Sequence, residues 1–200
     1  MEDNSTPEAD IYRSIAAISK GSYRDLGSRF LSFAYPVTTE EEALALIASM
    51  RKEYFDATHV CFAWRIGHDG ASWRVYDDGE PSSSAGRPIL GQILSAGLSD
   101  ILIIVIRYFG GTKLGIPGLI KAYKTAAAEA ISAAAVVEKL RYELLTLHFP
   151  YSATSEVSAL LRRHGFETVS QTFEEDCTLT VRVPLSRRSI FLSAFAAWIA

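Results

Sequence analysis

Two hundred residues with 48% hydrophobic content are enough for one domain, or two small ones, with a real core. A net charge of −3 excludes the global basic field that advertises nucleic acid, so any such binding must rest on a local patch. Two cysteines, Cys61 and Cys177, exclude a disulfide-dependent scaffold and read as buried, reduced thiols.

In chain order, residues 1–10 are polar and acidic, contain Pro7 and read as a flexible tail. They lack a basic stretch followed by an apolar core, and no apolar run approaches the ~20 residues that span a bilayer, so a cytoplasmic protein with no membrane partner is expected. Ile11 to Ser19 and Arg29 to Val37 read as strands, with Lys20 to Gly27 irregular because glycines punctuate it. Thr38 or Thr39 caps a helix that carries Glu40, Glu41 and Glu42 in its first turn. Its apolar face is expected to hold Leu44, Ile47, Ala48 and Met50. His59 to Ile66 and Trp73 to Tyr76 pair as strands, and Ser84 is expected to cap a helix that ends near Ala96. Ile101 to Arg107 is apolar on both faces and predicts a central, doubly covered strand. Pro117 and Gly118 open an alanine-rich helix through Val137.

A second pattern follows: strand Arg141 to Phe149, helix Ser152 to His164 with Gly165 as C-cap, and a hairpin around Glu174-Glu175-Asp176. Arg187 to Ile199 predicts a final helix. The order β-α-β-β-α matches a ferredoxin-like plait without its fourth strand, and the fold class is α+β. The expected division is a tail (1–10), a first domain (11–137) and a second domain (138–200).

Two loops concentrate the chemistry. The first, Asp77 to Pro88, gathers the carboxylates of Asp77, Asp78 and Glu80; the second, Arg107 to Gly118, gathers glycines and is followed by lysines. Asp77 to Pro81, Ala85 to Leu90, Ile106 to Gly115 and Gly118 to Tyr123 closely resemble the IMPACT/YigZ family, as do Ser28-Arg29-Phe30 and Asp56-Ala57-Thr58-His59. The resemblance implies a first domain folded like the second domain of a small-subunit ribosomal protein and like domain IV of elongation factor G. It implies a second domain like that factor's carboxy-terminal domain, and points towards translation. Eukaryotic relatives regulate translation initiation through an additional amino-terminal domain that residues 1–10 do not accommodate, so that interaction is not expected here. This chain departs from the family pattern at Ile116-Pro117, at Lys121 where arginine is usual, and at Val60 where asparagine is frequent. Charge survives at Lys121, but the bidentate fork of arginine is lost.

The second loop predicts an anion or nucleic-acid site. Arg107, Tyr108, Gly110, Gly111, Lys113, Gly115, Lys121 and Lys124 would combine open amides, a helix amino terminus and cations. Its glycine spacing fits neither a Walker A loop nor a dinucleotide fingerprint, and a tight strand-to-helix crossover is the competing explanation. His59 with Asp77, Asp78 or Glu80 supplies candidates for acid–base chemistry. The bland alternative pairs one carboxylate with Arg107 or Arg87 and uses another to cap the Gly79–Gly86 turn. The remaining histidines, His68, His148 and His164, have no metal-ligand spacing, and neither metal nor cofactor is expected. A binding protein for RNA, the ribosome or a translation factor ranks first. An enzyme acting on a small phosphorylated or nucleotide substrate ranks next, followed by a protein–protein adaptor using the second domain's exposed sheet.

Overall fold

A computed structural model describes residues 10–174 and 176–199; the expected tail, except Asp10, and Glu175 of the hairpin turn lie outside the described residues. The chain forms two compact units, one spanning Tyr12–Glu138 and the other joining Lys139–Ala200 to the chain up to Ile11. Both mix sheet and helix.

The chain runs β1 (Ile11–Ile15), β2 (Ser19–Asp25), β3 (Ser28–Pro36), α1 (Glu40–Glu53), β4 (His59–Ile66), β5 (Ser72–Tyr76), α2 (Gly86–Ser95), β6 (Ile101–Tyr108), α3 (Gly115–Ser132) and β7 (Val136–Leu140), all in the larger unit except Ile11 and the last two residues of β7. Five strands form one antiparallel sheet in the order β2-β3-β6-β4-β5, while β1 lies beside β7 in a two-stranded sheet. The central β6 is buried from Ile101 to Arg107, and its alternation feeds two cores. Ile101, Ile103 and Val105 pack against Ile89, Ile93 and Ala126 of α2 and α3; Leu102, Ile104 and Ile106 pack with Ile47 and Met50 of α1. A strand covered on both faces has no use for polar positions, which accounts for its unbroken apolar run.

Three local expectations need correction. Lys20 to Asp25 is not irregular but part of β2. Gly21 is needed there for close packing: a Cβ on it would lie 2.5 Å from the backbone nitrogen of Ala130 on α3. The turn comes later, at Leu26 and Gly27, with φ of 43° and 79°. On α1 the buried face is Ala43, Ile47 and Met50, while Leu44 is 46% exposed. Thr39 caps this helix by accepting from the Glu42 amide, and Glu42 in turn accepts from the Thr38 amide. Finally, α3 stops at Ser132 rather than Val137, and the β-branched Val136 and Val137 begin β7.

The smaller unit contains β8 (Tyr142–Pro150), α4 (Thr154–His164), β9 (Glu167–Thr172), β10 (Asp176–Pro184) and α5 (Arg188–Ala194), with an antiparallel sheet ordered β8-β10-β9. Gly165 ends α4 in the left-handed conformation at φ 63°. The last helix is shorter than expected. Beyond Ala194 the chain turns so that Phe195 joins the core and the Trp198 carbonyl accepts from the His148 amide. Asp10 is buried, not part of a free tail; its carboxylate accepts from the amide and hydroxyl of Ser186.

Candidate functional site

The first loop, Asp77 to Ala85, leaves β5 through backbone that only a tight turn requires, with φ of 47° at Asp78 and 83° at Gly79. Its carboxylates face inwards. Asp77 Oδ1 accepts from the amides of Ala85 (3.0 Å) and Gly86 (2.8 Å), and its Oδ2 accepts from Ser83 (2.8 Å). Asp77 therefore satisfies the open amides of α2, a task the sequence assigned to Ser84; the Ser84 hydroxyl instead donates to the Pro81 carbonyl. Asp78 Oδ2 accepts from the Val60 amide at 2.6 Å, and Oδ1 pairs with Arg51 at 2.7 Å. Both aspartates are structural.

Glu80 differs. It is 8% exposed, and one oxygen, Oε1, accepts from Arg107 Nη1 at 2.6 Å and from the Tyr123 hydroxyl at 2.7 Å. Arg107 is itself 5% exposed, with Nη2 at 3.5 Å from Ser28 Oγ and a buried Nε that has no partner among the described residues. Cys61 Sγ lies 3.3 Å from the Tyr123 hydroxyl and 3.0 Å from the Asp77 carbonyl. Burial pushes the Cys61 thiol and the Tyr123 phenol well above their ordinary values, so both stay protonated. The acidic centre of this network is a buried ion pair, and one member cannot be removed without stranding the other.

His59 stands at the start of β4. Its Nδ1 lies 2.8 Å from the Asp78 carbonyl oxygen, which can only accept, so Nδ1 carries the proton. In the neutral ring, Nε2 is then left with a lone pair, 3.8 Å from Glu80 Oε1.

The second loop begins tied and ends open. The Phe109 amide donates to Thr58 Oγ1 and the Gly110 amide to Ser28 Oγ. Gly110 admits no side chain, since a Cβ would sit 1.9 Å from the Gly27 carbonyl carbon. From Gly111 to Ile116 no amide donates within the protein among the described residues, and no side chain caps α3. Gly111 and Gly115 take φ of 87° and 69°, which turns this stretch into the helix. Eighteen residues of α3 follow, so the helix dipole reinforces the open amides.

A cleft of about 370 Å³ lies between the loops. His59, Glu80 and Arg107 line it together with Phe109, Lys113 and Gly115. Five residues singled out in the sequence thus converge: His59, Glu80, Arg107, Lys113 and Gly115. Asp77, Asp78, Tyr108, Gly110, Gly111, Lys121 and Lys124 do not line it. The Tyr108 hydroxyl donates to Asp56 at 2.8 Å, its ring lies under Arg29, and the Asp56 bond raises its pKa. Lys121 and Lys124 are exposed farther along α3. Sequence reasoning missed the site roles of Cys61, which sits within an apolar run, of Tyr123, and of Ser28, which ties β3 to both Arg107 and Gly110. Among the described residues no acidic, histidine or cysteine cluster is arranged for a metal, and no helix is long and apolar enough to cross a membrane.

The Impact N-terminal domain matches residues 26–131, which contain every residue of the cleft. Over 157 residues the chain is 41% identical to the "IMPACT family member in pol 5'region" of Thermus thermophilus, covering 78% of this chain and 84% of that one. A crystal structure of a hypothetical protein is similar with a TM-score of 0.73 and 29% identity, over 94% of this chain and 92% of the other. The two-domain translational regulator Yih1 is 28% identical over 67% of this chain and 52% of its own, with a TM-score of 0.37.

Proposed function

This chain belongs to the IMPACT family, and on that footing we propose that it is a cytoplasmic, translation-associated binding protein. RNA, the ribosome or a translation factor meets it at the cleft between the two loops, where a phosphate group is seated at the amino end of α3. Kinship sets the field: a relative, Yih1, is described as a translational regulator. The likeness of the larger unit to the second domain of a small-subunit ribosomal protein, and of the smaller unit to a ferredoxin-like plait, belongs to the same reading.

One observation carries the proposal: at the uncapped start of α3, Lys113, Leu114, Gly115 and Ile116 line the cleft, and none of their amides donates within the protein among the described residues. A helix amino terminus with a neighbouring cation matches a phosphate in charge and in donors. Phe109, 45% exposed at the same loop, offers a face on which a base can stack. Arg107 contributes less than its charge implies, because Glu80 already neutralises it. Binding of a single-stranded RNA or of ribosomes, measured against salt, tests the proposal. Affinity should fall steeply as salt rises, and Lys113→Ala should lower the logarithmic slope by about one. Absence of retention even at low salt would end this reading.

A second reading has its own support, the fixed tautomer of His59. An imidazole held at Nδ1 by a carbonyl and open at Nε2 in a cleft is placed to take a proton from a small phosphorylated or nucleotide substrate. In that case a metabolite panel should contain compounds that raise Tm, and His59→Ala should abolish turnover while leaving the fold intact. A panel that never shifts Tm would count against the enzyme.

A further inference from the structure

A second groove lies away from the cleft, at the free edge of the sheet. β5 is hydrogen-bonded on one side only, to β4, and ends the strand order. Its register with β4 is regular from Ser72 to Tyr76, without a bulge, and the strand contains no proline. Such an edge offers a row of unpaired backbone groups, which proteins ordinarily blunt. Beside it, Arg65, Trp73, Arg87, Leu90 and Leu94 line a groove of about 290 Å³. Trp73 is 49% exposed and Leu94 54%.

Charge decides what fits. Arg87 lies over the Trp73 ring at 5.1 Å and Arg74 over the Trp64 ring at 5.6 Å. Arg65 reaches only the carbonyls of Leu98 and Asp69. Among the described residues, none of these three guanidiniums pairs with a carboxylate. The carboxylates at the start of the strand are already engaged: Glu40 accepts from Ser72 Oγ, and Asp69 accepts from the Ala71 amide. Because side chains alternate along a strand, Trp73 and Arg74 point to opposite faces of the sheet. An added strand would alternate likewise, presenting one set of side chains to the groove beside Trp73 and the other to Arg74.

We propose that the β5 edge binds an acidic, extended protein segment by strand addition. Its apolar residues enter the groove lined by Trp73, Leu90 and Leu94, and its carboxylates, on the other face, meet Arg74. A protein segment fits better than nucleic acid because the edge presents backbone donors and acceptors that only another strand can pair. The site is separate from the phosphate seat at α3 and does not depend on it.

The test is an NMR titration of the whole chain with a short synthetic peptide that alternates glutamate and valine. Shifts and amide protection should concentrate on Ser72 to Tyr76 and on Arg87 to Leu94. Arg74→Glu should weaken binding about tenfold, since like charges then face each other. The same peptide N-methylated at alternate residues keeps its charge but cannot pair as a strand, and it should not bind. Equal binding of the methylated peptide would overturn the proposal. So would shifts mapping elsewhere, no binding at all, or single-stranded oligouridylate perturbing β5 more than the peptide does.

Discussion

Asp77, Asp78 and Glu80 of the first loop all end on partners inside the protein, whereas the second loop leaves its amides from Gly111 to Ile116 without internal acceptors. Both loops lead a strand into a helix, and both contain residues with positive φ. They differ at the helix they open. Asp77 caps α2 from outside the helix, and nothing caps α3. A loop whose polar groups are internally satisfied holds shape; one with open donors is free to meet a ligand. The carboxylates that look most like catalytic groups in the sequence are therefore mainly scaffold, and the glycine stretch is the one left with open donors, as the proposed phosphate seat requires.

The largest test of this contrast is Glu80→Ala. It strands the buried Arg107 charge and removes the acceptor of the Tyr123 hydroxyl, so urea denaturation should show a loss of about 3–5 kcal/mol. Replacing both partners, as Glu80→Leu with Arg107→Met, should recover most of that loss, because the penalty lies in the unpaired charge. If Glu80→Ala costs less than about 1 kcal/mol, the first loop is not the scaffold described here.

Alkaline pH probes the same network more gently. In the folded protein, burial holds the Cys61 thiol above its ordinary value of 9.0. Between that value and the raised one, the folded chain binds more protons than the unfolded chain, so stability falls as pH rises. The contribution of Cys61 is complete below about pH 9 and is lost above it; Tyr123 adds a further decline from its ordinary value of 10.0 upwards. Cys61→Ser should flatten the first part of that decline in denaturation curves taken from neutral pH upwards. Identical slopes for the variant and the parent chain would mean that the thiol is not held protonated by the fold.

Legibility in the sequence followed whether an interaction is local. The double coverage of β6 could be read from Ile101 to Ile106 because burial on both faces leaves an unbroken apolar run. Thr39 and Gly165 could be read because a cap acts within one turn. Ser84 was mistaken for the cap of α2; a carboxylate capping the Gly79–Gly86 turn was expected, but Asp77 lies too far upstream for a local pattern to name it as the cap of the helix as well. β2 was missed because Gly21 serves the contact with α3, and a glycine needed for packing looks the same as one that breaks a strand. Arg107 read either as a cation beside glycines or as the partner of a first-loop carboxylate, and the second reading holds, although which carboxylate could not be told from the sequence. Its partner, Glu80, is 27 residues away and reaches it only through the pairing of β4 with β6 and the turn after β5. Membership of the family was legible for the opposite reason: the motifs are contiguous.

The smallest effect on stability, and the sharpest on the contrast, belongs to Lys113→Ala. Lys113 is exposed, lines the cleft and forms no ion pair among the described residues, so its loss should change stability by no more than about 0.5 kcal/mol. The logarithmic salt slope of RNA or ribosome binding should nevertheless drop by about one. Lys121 and Lys124 calibrate this result, since they are equally exposed on α3 but lie outside the cleft. If all three alanine variants lower the slope alike, binding is diffuse attraction to the cationic face of α3, and the open amides of the second loop seat nothing in particular. If Lys113 alone lowers it, the phosphate is held at the helix start, where the dipole and the unpaired amides coincide.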